Sequence, residues 1–161
     1  MITRGQIILI GGEKGGVGKS TIATNIAVEM SYRKAQIIII DTDPQKTSIN
    51  WIDRRNELIE TSNLNYPKIT GVSKDGNIKD VIKDFVTKYD IVLIDASGRD
   101  SQSLRTGLTV ADKFYCPIRA SQADLETLPH ICKIIEAAKD FNEHLISKAI
   151  ISCAPTNPLI N

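Results

Sequence analysis

Four short runs of the chain are apolar without interruption: Ile7 to Ile10, Ile37 to Ile40, Ile91 to Ile94 and Ala149 to Ile151. A strand with one wet face alternates apolar and polar residues, whereas a strand covered by helices on both faces reads as a continuous apolar run. The four runs therefore predict strands of a parallel sheet buried on both faces, the last extending over 147–152. Between them the spacing changes to the helical period. Ile22, Ile26, Ala27 and Met30 mark one stripe; Ile78, Val81, Ile82, Phe85 and Val86 mark a second; Leu128, Ile131, Cys132, Ile135 and Ala138 mark a third. Thr127 stands where an N-cap would, and Pro129 is tolerated in a first turn. Further strands are expected near Lys68 to Val72 and Lys113 to Pro117, and a helix over roughly 46–60. Alternating strands and helices predict an α/β fold, a mostly parallel twisted sheet flanked by helices and joined by right-handed crossovers.

The 161 residues, 42% hydrophobic and 24% charged, fit one domain over 1–161 with a single core. The polar stretch Thr61 to Pro67 is too short to be an interdomain linker. No apolar run reaches the roughly 18 to 20 residues that span a bilayer. The N-terminus lacks the basic start and small-residue cleavage site of an export signal, so a cytoplasmic protein is expected. Twenty basic against nineteen acidic residues give a net charge of +1, which removes bulk charge as an argument for nucleic acid. Cys116, Cys132 and Cys153 are odd in number, widely spaced and set among apolar neighbours. They read as core residues, suggesting neither a disulfide framework nor a metal pair.

Candidate chemistry begins at Glu13-Lys14-Gly15-Gly16-Val17-Gly18-Lys19-Ser20-Thr21, directly after the first apolar run and before the first helical stripe. Glycines at this spacing let successive N–H groups point into one concavity that holds phosphates. Lys19 then reaches the β and γ oxygens, and Ser20 is placed to ligate Mg²⁺. Such a loop implies a nucleoside triphosphatase. The strict pattern G-x-x-x-x-G-K-[ST] fails at Glu13, and the variant K-G-G-x-G-K-[ST] fits, with Lys14 ahead of the glycines. Without an anion, the two lysines beside this loop would repel each other. Asp41 and Asp43 follow the second run, where open α/β sheets place ligand groups, and Pro44 biases Asp43 toward an extended conformation. Two acids so close repel in a low dielectric unless a cation lies between them. The plainer alternative is a strand-end Asp41 and an Asp43 that caps the next helix. Asp95 follows the third run, the strand-then-carboxylate arrangement that holds Mg²⁺ through water.

KGGVGKST at 14–21, IIIIDTDPQ at 37–45 and IVLIDASGRDSQSLR at 91–105, with the weaker ADKFYCPIRASQADLETL at 111–128, carry a family resemblance. In this order they resemble the deviant-Walker-A ATPases of the ParA and MinD group, most closely small ParA-type partition ATPases. The resemblance implies a P-loop NTPase fold shortened at its C-terminus, with ATP and Mg²⁺ as cofactors. It implies that Lys14 reaches across a nucleotide-sandwich homodimer to the partner's phosphates, while Gly15 to Thr21 cradle the chain's own. It implies that Asp43 orients or activates the attacking water, Asp41 lies near Mg²⁺, and the Gly98 N–H senses the γ-phosphate. Gly98 also reads as a plain turn glycine. Where relatives often carry D-x-P-P-G, this chain has Ala96-Ser97-Gly98-Arg99, which leaves the switch geometry open. Arg99 and Arg105 are either dimer contacts or solvated. Relatives often carry Asn where Ser152 stands, so the loop 153–158 with Pro155, together with Pro117 and Arg119, is expected to frame the adenine.

The function implied is that of a partition ATPase, slow without its partner, which dimerises on ATP and binds nonspecific DNA on the nucleoid without a membrane. A ParB-like centromere-binding adaptor would stimulate it, so that a plasmid or chromosome is segregated. In relatives the basic surface lies largely beyond the region matching this chain, which leaves its own DNA binding open. A MinD-like regulator at the membrane would call for a basic amphipathic tail, and none is visible. A metabolic P-loop relative or an iron–sulfur carrier is disfavoured by the D-T-D-P-Q segment and the scattered cysteines. A noncatalytic nucleotide-binding module is the remaining reading.

Overall fold

A computed structural model describes residues 4–154 of the chain. The apolar runs become β1 (Gln6–Ile10), β2 (Ile37–Asp41), β4 (Ile91–Asp95) and, at one edge, β6 (Ile146–Ser152). The two weaker strand signals become β3 (Thr70–Ser73) and β5 (Lys113–Arg119). The helical stripes become α1 (Lys19–Tyr32), α3 (Lys79–Phe85) and α6 (Leu128–Lys139), and the helix expected over 46–60 is α2 (Thr47–Thr61).

All pairings are parallel, in the order β3-β2-β4-β1-β5-β6. Successive residues of the central strands point to opposite faces, and each face is covered. Leu9, Ile38, Ile40, Val92 and Ile94 pack with Phe114, Ile131 and Ile134 on one side. Ile8, Ile10, Ile37, Ile39 and Leu93 pack with Ala23, Ala27 and Ile52 on the other. This double burial is why the runs carry no polar alternation. The crossovers β1 to β2 and β4 to β5 run in opposite directions along the sheet. The crevice above the C-terminal ends of β1 and β4 is therefore a topological switch point, where doubly wound sheets bind ligands. Register places Asp95 beside both Ile10 and Asp41, so three strands end in one row there.

Several expectations are corrected. β6 pairs only with β5 among the described residues, and Ile146 and Ile151 are 51% and 62% exposed, so its apolar run is not covered on both faces. Only Cys116 of the three cysteines is buried; Cys132 and Cys153 are exposed. The buried face of α6 is Ile131, Ile134 and Ala138, which leaves Cys132 outside it. Thr127 has helical torsions and caps nothing; its hydroxyl donates to the Asp124 carbonyl at 2.7 Å. Two short helices, α4 (Gln102–Leu108) and α5 (Gln122–Leu125), had no apolar stripe to announce them. Their legible signal was the cap: Ser101 and Ser121 hydroxyls accept from the amides of Leu104 and Asp124. No described helix is long and apolar enough to cross a membrane.

Candidate functional site

β1 feeds the chain into the loop before α1. Gly16 and Gly18 take φ of 69° and 87°, a region that penalises any side chain, and Gly18 is the residue from which α1 starts. No side chain caps α1, so the amides of its first turn have no side-chain acceptor, and the positive end of a 14-residue helix faces the crevice. Val17, 1% exposed, anchors the loop from beneath. Glu13, where the strict motif wants glycine, is not among the residues with positive φ, so glycine is not required there. Its carboxylate instead meets Nδ1 of His130 on α6.

Lys19 is 8% exposed, and its Nζ donates to the Lys14 carbonyl at 2.6 Å, which lays the side chain back over the loop. Burial lowers its pKa, while Asp95 and Asp43 pull the other way. Asp95, at the end of β4, is 1% exposed. Desolvation raises its carboxyl to about 6, against the holding effect of the Ser48 and Ser20 hydroxyls. Ser48 Oγ donates to Asp95 Oδ2 at 2.5 Å. Nothing in the sequence flagged Ser48, because only the turn of α2 over the strand ends brings it there.

A cavity of about 580 Å³ opens over this row. Its wall is made of three segments: Gly15, Gly16 and Gly18 to Thr21; Asp43 to Gln45 with Thr47; and Ala96 to Arg99. Three sequence motifs thus meet in one space. Gly98 is pressed against the phosphate loop: a Cβ there would lie 3.0 Å from Lys19 Nζ, 3.2 Å from the Lys14 carbonyl oxygen and 3.3 Å from the Gly15 nitrogen. Asp43 keeps one carboxylate oxygen on the Gln45 amide at 2.9 Å and leaves the other without a partner among the described residues.

Some candidates fall elsewhere. Asp41 is fully buried and does not line the cavity. Its Oδ1 accepts from the Asp43 amide at 2.9 Å, and its Oδ2 accepts from Ser48 and Ile49 at 2.9 and 3.3 Å. It holds the turn into α2, the capping duty expected of Asp43, and burial raises its pKa despite these donors. The Lys14 side chain is half-buried and makes no hydrogen bond or ion pair among the described residues. Pro117 and Arg119 are not in the cavity wall; Arg119 Nη2 donates to the Gly16 carbonyl and braces the loop from outside. Pro155 lies outside the described residues. Ser97 was missed: its amide donates to Thr42 Oγ1 at 3.3 Å, tying the loop after β4 to the loop after β2.

The donors present fit a triphosphate and a hard divalent cation. Open amides and Lys19 answer the anion, and the Ser20 hydroxyl and Asp95 carboxylate are oxygen ligands of the kind Mg²⁺ takes. The described residues contain no cluster of three His, Cys, Asp or Glu side chains, so such a cation would complete its shell with water and phosphate.

Parallel sheet, phosphate loop and switch-point cavity define a P-loop NTPase fold. Residues 6–142 match the family model described as ATPase MipZ, and the chain belongs to that family, within the ParA and MinD group. The chromosome partitioning protein ParA of Myxococcus xanthus is 24% identical over 85% of this chain. The chain spans 60% of that protein's length and 63% of that of ParA from Rhizobium radiobacter. A plasmid partition protein from Borrelia burgdorferi superposes with a TM-score of 0.72 at 21% identity, over 96% of this chain and 81% of its own. Cobyrinic acid a,c-diamide synthase from Mycobacterium smegmatis, with bound ADP and magnesium, superposes at 0.76 with 16% identity, over 91% and 74%. Likeness at these identities shows the fold alone.

Proposed function

We propose that this chain is an ATP-binding and hydrolysing partition ATPase whose nucleotide lies in the cavity above β1 and β4. The observation that carries the reading is the convergence of the phosphate loop, Asp43 and Gly98 on one space. Each supplies a part that phosphoryl transfer requires, positioning or charge neutralisation. The loop amides and Lys19 hold the phosphates. Ser20 and Asp95 hold Mg²⁺, which when bound neutralises charge on the phosphate oxygens. The open oxygen of Asp43 orients the attacking water, and the Gly98 amide reads the terminal phosphate. Lys14, with no partner inside its own chain among the described residues, reaches the phosphates of a second copy across a nucleotide-dependent homodimer.

The family match and the partition relatives support the wider role. The dimer would bind nonspecific DNA on the nucleoid in the cytoplasm, and a ParB-like adaptor on a centromere would stimulate its slow hydrolysis to segregate a plasmid or chromosome. Because one fold carries unrelated chemistries, the second reading is a metabolic enzyme, such as a synthase, on the same fold. Calorimetric titration with Mg²⁺-ATP tests the common core. Wild type binds, and Lys19→Ala weakens binding by about 100-fold, the loss of charge-assisted bonds to phosphate. Unchanged affinity in Lys19→Ala would remove the nucleotide from this cavity. Hydrolysis raised by DNA and adaptor together supports partition; hydrolysis coupled to amide formation supports the synthase.

A further inference from the structure

Two arginines follow β4, and they keep different company. Arg105 is engaged: its Nε and Nη2 donate to the two carboxylate oxygens of Asp100 at 2.7 and 2.6 Å. Arg99 is exposed, has no side-chain hydrogen bond or ion pair among the described residues, and stands in the wall of the 580 Å³ cavity beside Lys19 and Asp43.

Its backbone is fixed from three sides. The Arg99 amide donates to the Ser97 carbonyl at 2.9 Å. The Ser97 amide is tied to Thr42. Gly98 packs directly on Lys14, Gly15 and Lys19. The turn thus carries a guanidinium on the rim of the phosphate loop. Charge points the same way. Of the ionisable side chains in the cavity wall, Lys19 and Arg99 are cationic and Asp43 is anionic, with Asp95 directly beneath. Lys19 alone leaves one cation facing two carboxylates, a poor seat for a polyanion, and Arg99 brings the balance to two of each. Guanidinium is the side chain whose planar fork matches two phosphate oxygens at once.

We propose that Arg99 contacts the terminal phosphate of the triphosphate held by its own chain, a second phosphate-reading cation beside Lys19. The proposal rests on the nucleotide reading given above. It makes Arg99 a binding residue for the triphosphate in preference to the diphosphate, and a stabiliser of charge developing on the transferred phosphoryl group.

The test is calorimetry on the full chain with Mg²⁺ and either ADP or a nonhydrolysable ATP analogue, comparing wild type, Arg99→Ala and Arg99→Lys. Arg99→Ala is expected to weaken the analogue about 10- to 100-fold while leaving ADP as in wild type, and Arg99→Lys to recover part of the loss. Equal losses for both nucleotides, or none, would overturn the contact while leaving the nucleotide site standing. A wild-type chain that binds neither nucleotide would remove the site and the contact together. Mixing Arg99→Ala with Lys19→Ala separates the two chains of a dimer. Recovered hydrolysis would place Arg99 in the partner's site and overturn the within-chain assignment, and its absence supports it.

Discussion

Asp95 is a carboxylate with 1% of its surface exposed, held by hydroxyls where a magnesium-binding acid would hold a cation. Burial moves its carboxyl from an ordinary 3.8 to about 6. The folded chain therefore keeps this proton more tightly than the unfolded chain, and stability falls as pH rises through that window. The loss is complete above pH 6 and amounts to roughly 3 kcal/mol. In chelator, urea melts of wild type and Asp95→Asn are expected to converge near pH 4 and separate by pH 7, with the variant gaining. A separation independent of pH would show that the carboxyl titrates normally. Added Mg²⁺ is expected to narrow the gap in wild type only, since a cation offsets the charge that burial penalises. The acid itself was legible as a carboxylate after an apolar run. Its shifted ionisation was not, because Ser48 and Ser20 reach it only through the fold.

Three loops after β1, β2 and β4 do the work at the next scale, and they are wedged against one another. Gly98 sits 3.0 to 3.3 Å, measured from an added Cβ, from atoms of the phosphate loop. Gly98→Ala is expected to push that loop back by a few tenths of an ångström and weaken Mg²⁺-ATP binding about 10-fold, with thermal stability within roughly 1 kcal/mol of wild type. Equilibrium titration with thermal melts checks both; wild-type affinity would show that the loop yields freely. The strands here were readable from sequence because a strand buried on both faces has no polar positions to confuse it. The same rule misled at β6, whose apolar residues lie at the sheet edge, and the helical period misled at Cys132, which shares a stripe yet faces out. Helices α4 and α5, of 7 and 4 residues, are too short to show a period at all.

For the whole molecule, the decisive question is whether a second copy completes the site. Lys14 is half-buried at the mouth of the loop with no partner for its side chain among the described residues. Lys14→Ala is expected to bind the nonhydrolysable analogue as wild type does but to stay monomeric in light scattering, where wild type doubles in mass; a variant that still doubles would refute the cross-subunit role. By itself the sequence determined the phosphate loop, the order of the strands and of the longer helices, and the acids at strand ends, because these follow from local spacing and glycine torsions. Tertiary structure alone decided their duties. It sent Asp41 to backbone amides and Asp43 to the cavity, engaged Arg105 and left Arg99 open. Two neighbouring acids or two neighbouring arginines look alike in a linear pattern; what separates them is which donors and acceptors the packed chain brings within hydrogen-bonding distance.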